Sequence, residues 1–247
     1  MLPTKPWRGD AVFFFIVAQI TCFLLAGVAI GLLHSYKVAG FEEDEGFGSI
    51  IVGTLGFQGA TWILMPLFFW LQDISWQDGI GFTKKKLLMA PVLAFGTLIL
   101  VLPATMALLK ASNWVLEKPA AVWVLDKLHI KLEPEAAVTL ISNATSRPEQ
   151  IYLAIFAVVL APVAEEFIFR GVLFTTLKQH GFPKLAWIGV NLLFALIHAD
   201  LQIFVPLFFL SLVLTWLYEI TDSLLASFFT HALFNAANLV VLTRFSQ

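Results

Sequence analysis

The chain has 247 residues, 59% hydrophobic and only 13% charged, with a formal net charge of −2 and a mean hydropathy of +0.86. Soluble domains run about 45–50% apolar and about 25% charged, so this balance excludes an ordinary soluble domain and describes a polytopic membrane protein. No basic run is long enough to bind nucleic acid, and Cys22, the single cysteine, excludes an intrachain disulfide.

Stretches of about 17–25 apolar residues cross a bilayer as helices, because lipid offers no partner to an open backbone. The first such stretch covers 11–33, behind Lys5 and Arg8. It exceeds the apolar core of a signal peptide, about 7–15 residues, and reads as a span that is retained. Its Gly27-x-x-x-Gly31 pattern is a weak signal of a helix contact. Spans over 50–71 and 87–109 follow. Trp7, Trp70 and Trp76 fall near the expected interfaces and read as anchors. Residues 113–132 alternate polar and apolar and read as an interfacial amphipathic helix, with a partial crossing as the alternative. Ser146, as an N-cap ahead of Pro148, opens a fourth span over 149–172. Three short spans, 184–199, 202–219 and 223–242, are joined by tiny loops at Asp200 and Asp222.

The expected fold class is all-α: one membrane-embedded domain over 1–247, a polytopic membrane helical bundle with about seven transmembrane helices, eight if 113–132 crosses. Lys5, Arg8, Lys84, Lys85, Lys86, Arg170, Lys178 and Lys184 then share one side, opposite the acidic run Glu42-Glu43-Asp44-Glu45. This distribution puts the N-terminus in the cytoplasm and the protein in a plasma (inner) membrane. The loop 110–148 runs against that assignment, with Lys110, Lys118, Lys127, Lys131 and Arg147.

The fourth span carries two adjacent carboxylates, Glu165 and Glu166. A charge inside the membrane is costly, and such residues face a bundle interior or a wet cavity. Neighbours on a helix diverge by about 100°, so the two glutamates have different roles. Arg170 is four residues beyond Glu166, on its face, and neutralises it. Glu165 is left for the cavity, and Pro162 kinks the span just before the pair. His198 ends the fifth span, with Asn191 seven residues earlier on the same face. His231 and Asn235 project from one face of the last span, and Asn238 extends the stripe. Singly, each has a bland explanation: headgroup carboxylates, an interface histidine, an interhelix hydrogen bond.

Together they form an ordered pattern, Glu-Glu-x-x-x-Arg, Phe-x-x-x-His and His-x-x-x-Asn, each on its own helix. Glu165 to Arg170, Phe194 to His198 and His231 to Asn235 supply the three motifs. Over about 150–240 the chain resembles the CAAX protease and bacteriocin-processing family (CPBP, also called Abi), intramembrane endopeptidases related to the Ras-converting enzyme. The first half matches only as apolar spans, so the catalytic half is 149–242.

Peptide hydrolysis needs an activated water and a group to hold the oxyanion. A glutamate in a low-dielectric site suits the general base. Glu165 is assigned that role, with His198 orienting the water and His231 and Asn235 donating to the oxyanion. The resemblance implies the same roles and adds Glu166 and Arg170 as supports. No cofactor is required. Zinc is the alternative, with Glu165, His198 and His231 as its ligands, although no HExxH helix is present. At about 1.5 Å per residue, Glu165 and His231 lie about 10 Å from the inner edge. Asn235 and His198 lie nearer mid-bilayer, a spread of about 10 Å that requires tilted helices. A helix hides its amides, so expected substrates are membrane-anchored, lipidated or transmembrane peptides that unwind or present an extended end at the lipid bilayer. Two other classes fit less well. A proton-coupled transporter lacks support from any internal repeat, and a non-catalytic immunity or scaffold protein does not explain why every polar group of the pattern is present.

Overall fold

The computed structural model describes residues 5, 7–41, 46–129, 132 and 146–245. The acidic run Glu42 to Glu45 and Lys131 lie outside the described residues. In chain order the helices are α1 (Gly9–Ser35), α2 (Phe47–Trp70), α3 (Trp76–Ile80), α4 (Lys84–Leu116), α5 (Pro119–Lys127), α6 (Arg147–Gln179), α7 (Pro183–Leu196), α8 (Leu201–Thr221) and α9 (Leu224–Phe245). There is no strand among the described residues. Among the described residues six helices are long and apolar enough to cross a membrane, and α7 is a shorter apolar helix. The protein is therefore an integral, polytopic, all-helical membrane protein.

Local sequence explains the helix starts. Ser146 and Glu149 form a reciprocal capping box at α6, with Pro148 in its first turn. Thr83 accepts from Lys86 N–H at the start of α4, and Asp200 accepts from Gln202 N–H at 2.7 Å ahead of α8. Residues 113–132 differ from the expected interfacial helix. α4 continues through Leu116, and only Pro119–Lys127 forms a separate short helix. The fifth span ends earlier than expected, at Leu196, so His198 lies in the turn beyond it.

One end of the bundle gathers the basic residues. Buried Lys5 donates to Asp222 at 2.7 Å, and Lys86 donates to the Asp222 carbonyl at 2.8 Å. Arg8 N–H donates to Gln72 at 2.9 Å, and Lys178 pairs with Glu219. Asp222 closes α8 in the left-handed region, and Gly81 packs so tightly there that a Cβ would strike the Asp222 carbonyl. α4 packs along both α8 and α9, joining the two halves.

The lipid-facing helices are not uniform α-helices. α2, α6 and α7 contain widened π turns at Leu55–Gly59, Phe156–Leu160, Phe167–Phe174 and Ala186–Val190. In α6, Ala161 N–H reaches back five residues to Phe156 O. In that register the next donor would be Pro162, which has no N–H, and Ala157 O needs another partner. Asn235 supplies it from α9 at 2.8 Å. A widened turn lies just ahead of Pro162, where a kink is expected. Other carbonyls in or beside these turns are also bound by side chains. Trp62 donates to Leu160 O, Thr175 to Arg170 O and Trp7 to Gly171 O. In α2, Phe57 O accepts from Gln19 at 2.8 Å and from Thr61 at 3.0 Å.

Trp7 is accordingly a packing residue rather than an interface anchor. Its ring stacks on Phe69 at 5.7 Å and meets Phe68 edge-on at 5.2 Å. Trp70 and Trp76 are exposed, as anchors should be. Among the described residues, nothing lies within 4 Å of where a Cβ would stand at Gly27 or Gly31. The close approach is at Gly56, where a Cβ would overlap that of Ala26 on α1. Gly56→Ala is expected to cost about 1–3 kcal/mol by overpacking, seen as a lower Tm in detergent. Gly96→Ala, a site with open space around it, should show no loss.

Candidate active site

Glu165 and Glu166 sit between the two widened turns of α6, and both are buried. They diverge as adjacent helical residues must. Glu166 turns inward to Arg170, whose Nη1 donates to Glu166 Oε1 at 3.0 Å. Neither side chain is more than 1% exposed. A guanidinium so placed must have its donors satisfied, since a buried, unpaired charge is strongly destabilising. α8 does this. Arg170 Nη2 donates to Ser211 Oγ at 2.6 Å and to Ser211 O at 3.0 Å, and Nε donates to Thr215 Oγ1 at 3.4 Å. The two hydroxyls pass their own hydrogens to Asn191 Oδ1 on α7, at 2.7 and 2.8 Å. Asn191 Nδ2 ends the chain on Trp187 O at 2.6 Å. The guanidinium carbon also stands 4.7 Å from the centre of the Phe194 ring.

His231, on α9, completes the cluster from the other side. Its Nδ1 lies 3.0 Å from Glu166 Oε1. A carboxylate paired with arginine only accepts, so Nδ1 carries the proton. Nε2 then points at Glu165 Oε2, 3.7 Å away. This exceeds a direct hydrogen bond, and such a spacing suits a bridging water or a long ion pair. His198 has the same tautomer for a different reason: Nδ1 donates to Phe194 O at 2.7 Å, which makes Nε2 the acceptor of the neutral ring. Phe194 packs between the two imidazoles, its centroid 5.0 Å from that of His198 and 5.8 Å from that of His231. Asn235 lies one turn beyond His231. One of its amide hydrogens serves Ala157 O, and the other is not used by that bond.

The structure therefore brings Glu165, Glu166, Arg170 and His231 into one contiguous cluster. It sets His198 beside them across Phe194, and it ties Asn235 to the widened turn of α6. Among the described residues no group of three or more His, Cys, Asp or Glu side chains is placed to hold a metal ion. Glu165, His198 and His231 do not form a ligand set as they stand. Asn191, seven residues before His198, turns to α8. Ser211 and Thr215 escape a reading of the sequence for charged groups. Their one signal is two hydroxyl residues four apart in an otherwise apolar span.

A buried carboxylate, a second carboxylate locked to a guanidinium and two imidazoles of defined tautomer, all inside a polytopic helical bundle, make a site fitted for proton transfer away from bulk water. Residues 147–237, which cover α6 through most of α9, match the Rce1-like family, described as type II CAAX prenyl endopeptidase Rce1-like. No curated protein and no solved structure matches the chain.

Removing the charge of Glu166 leaves Arg170 buried without its carboxylate. Glu166→Gln is expected to destabilise the protein by about 3–5 kcal/mol. Folded yield and Tm after extraction in mild detergent are the measurements, and a normal Tm would contradict the pairing.

Proposed function

We propose that the protein is an intramembrane endopeptidase that uses Glu165 to activate a water against a peptide bond of a membrane-anchored, lipidated substrate. The observation that carries this reading is the Glu165–His231 spacing, 3.7 Å, within a cluster that is closed off on its far side by Glu166 and Arg170. Two carboxylates and one guanidinium sum to −1. In a low-dielectric interior the cluster is neutral when one proton resides on the Glu165–His231 pair. With that proton on His231, the carboxylate of Glu165 is free to act as the base.

In the proposed reaction Glu165 removes a proton from water as its oxygen attacks the carbonyl carbon. His198 Nε2 accepts the second hydrogen of that water and orients it. The carbonyl oxygen becomes an oxyanion, held by the Nε2–H of protonated His231 and by the second amide hydrogen of Asn235. Glu166 stabilises the imidazolium through Nδ1. As the tetrahedral species collapses, the C–N bond breaks and Glu165 returns its proton to the leaving amine. The second hydrogen of the water stays on the new carboxylic acid until it passes to the amine, so the products are a carboxylate and an ammonium group. The metal-free version is favoured because each step is assigned to a side chain already in the cluster. Zinc held by Glu165, His198 and His231 is the alternative.

The family description supplies the substrate class, a prenylated CAAX peptide, and this chain is proposed to act on a tail of that kind. The basic end is proposed to face the cytoplasm of an inner membrane, with the N-terminus inside. Glu165 then lies on the cytoplasmic side of mid-bilayer, within reach of an anchored tail that enters extended.

The test incubates a farnesylated CAAX peptide with purified protein in lipid and identifies the products by mass spectrometry. Wild type should cleave it. Glu165→Gln should lose at least about 100-fold in kcat while remaining folded. Cleavage by both proteins would sink the assignment. Treatment with a strong chelator is expected to leave the rate unchanged, and complete loss restored by zinc would reverse the metal-free version.

A further inference from the structure

α8 contributes no group to the proposed chemistry, yet it holds the guanidinium on which the site is built. Arginine and a carboxylate ordinarily prefer a two-pronged pairing, with two N–H groups on two oxygens. Here the pairing is single: only Nη1 reaches Glu166, on Oε1. The reason lies on α8. Nη2 is taken by the hydroxyl and the carbonyl of Ser211, and Nε is turned to Thr215. A guanidinium is flat and its donors are fixed relative to one another. Once Nη2 and Nε are held, its plane and its approach to Glu166 are set. Ser211 and Thr215 are themselves oriented by the shared acceptor Asn191 Oδ1. Asn191, Ser211 and Thr215 are all fully buried.

This single-point pairing leaves Glu166 Oε1 aimed at His231 Nδ1, 3.0 Å away. If Arg170 swung onto both oxygens, the carboxylate would rotate with it and the imidazole would lose its acceptor. We propose that Asn191, Ser211 and Thr215 are positioning residues that prevent the two-pronged pairing, and that they thereby hold His231 with its proton on Nδ1 and its Nε2 towards Glu165. Asn191 sits on the helix that leads to His198, so the same contact also fixes the register of α7 against α8. The inference rests on the endopeptidase reading for its effect on rate. The tautomer of His231 is a property of the resting protein and is measured without turnover.

The experiment compares wild type, Ser211→Ala/Thr215→Val and the conservative Thr215→Ser, each with 15N-labelled histidine in lipid. His231 is assigned by its loss in His231→Gln. In wild type, Nδ1 of His231 should carry a proton hydrogen-bonded to carboxylate. In the double variant that signal should give way to a mixture of tautomers. On a farnesylated CAAX peptide, kcat should fall about 10–100-fold with KM within about twofold, because the ground-state grip on substrate is untouched. Thr215→Ser should behave as wild type in both readouts. A double variant with lower Tm but an unchanged Nδ1 signal would show a merely structural web and overturn the proposal. So would a variant with unchanged kcat. If the double variant does not fold, Ser211→Ala alone, which keeps the backbone carbonyl for Nη2, is judged by the same criteria. If wild type cleaves nothing, the endopeptidase reading fails, and the nitrogen spectra still decide the positioning claim.

Discussion

The ion pair between Glu166 and Arg170 is the constraint from which the second half of the bundle follows. Both partners are out of contact with solvent. Taking two charges out of water costs more than their mutual attraction returns, unless further hydrogen bonds complete the arrangement. One helix cannot supply them. α8 brings two hydroxyls and a carbonyl, α7 brings the amide that orients those hydroxyls, and α9 brings the imidazole that shares the carboxylate. Each of these helices is therefore fixed in depth and rotation by a polar contact. Packing among apolar side chains in lipid has no hydrophobic driving force of its own and would leave depth and rotation poorly defined. The role proposed for Glu165 depends on this. Its neighbour and the residue facing it are both held, so its carboxylate has a defined partner.

The widened turns solve a second problem. A π turn shifts the backbone hydrogen-bond register and leaves carbonyls seeking donors, which lipid cannot offer. In α6 such turns lie on both sides of the glutamates. Asn235, Trp62, Thr175 and Trp7 bind carbonyls there, and three of those four side chains come from other helices or from the N-terminal segment. The irregular helix is in this way sewn to its neighbours at the level where the site is built. Asn235 links the two problems, since it fills a backbone gap with one amide hydrogen and lies one turn from His231.

Much of this was legible in the residues. The i,i+4 spacing of Glu166 and Arg170 on an apolar helix leaves few alternatives to a pair, and the structure makes that pair. Ser146 ahead of Pro148 and the hydropathy of the long spans place the helix starts within about three residues, while the helices over 87–109 and 149–172 run on to Leu116 and Gln179. Three things were not legible, each for a physical reason. The widened turns are invisible to a pattern with a period of 3.6, because apolar residues surround them on every side. Ser211 and Thr215 look like ordinary tolerated hydroxyls, since serine and threonine in membrane helices can bond their own backbone. Only the guanidinium across from them reveals their use. Trp7 sits where an interface anchor belongs, and its partner, Gly171 O, is 164 residues away in sequence. Short-range periodicity carries no information over that separation.

The junction at the basic end has a consequence for biogenesis. Lys5 is bound by Asp222, 217 residues later in the chain, and Lys86 closes on the same turn. The ribosome must therefore finish the α8–α9 hairpin before the first lysine can find its counter-ion. Until then the early helices wait in the bilayer with that end unsealed, and Trp7 has no Gly171 carbonyl to cap until α6 is inserted. This end is thus latched only after α8 has been made, and a chain truncated before Asp222 would present quality-control proteases with an unlatched N-terminal segment.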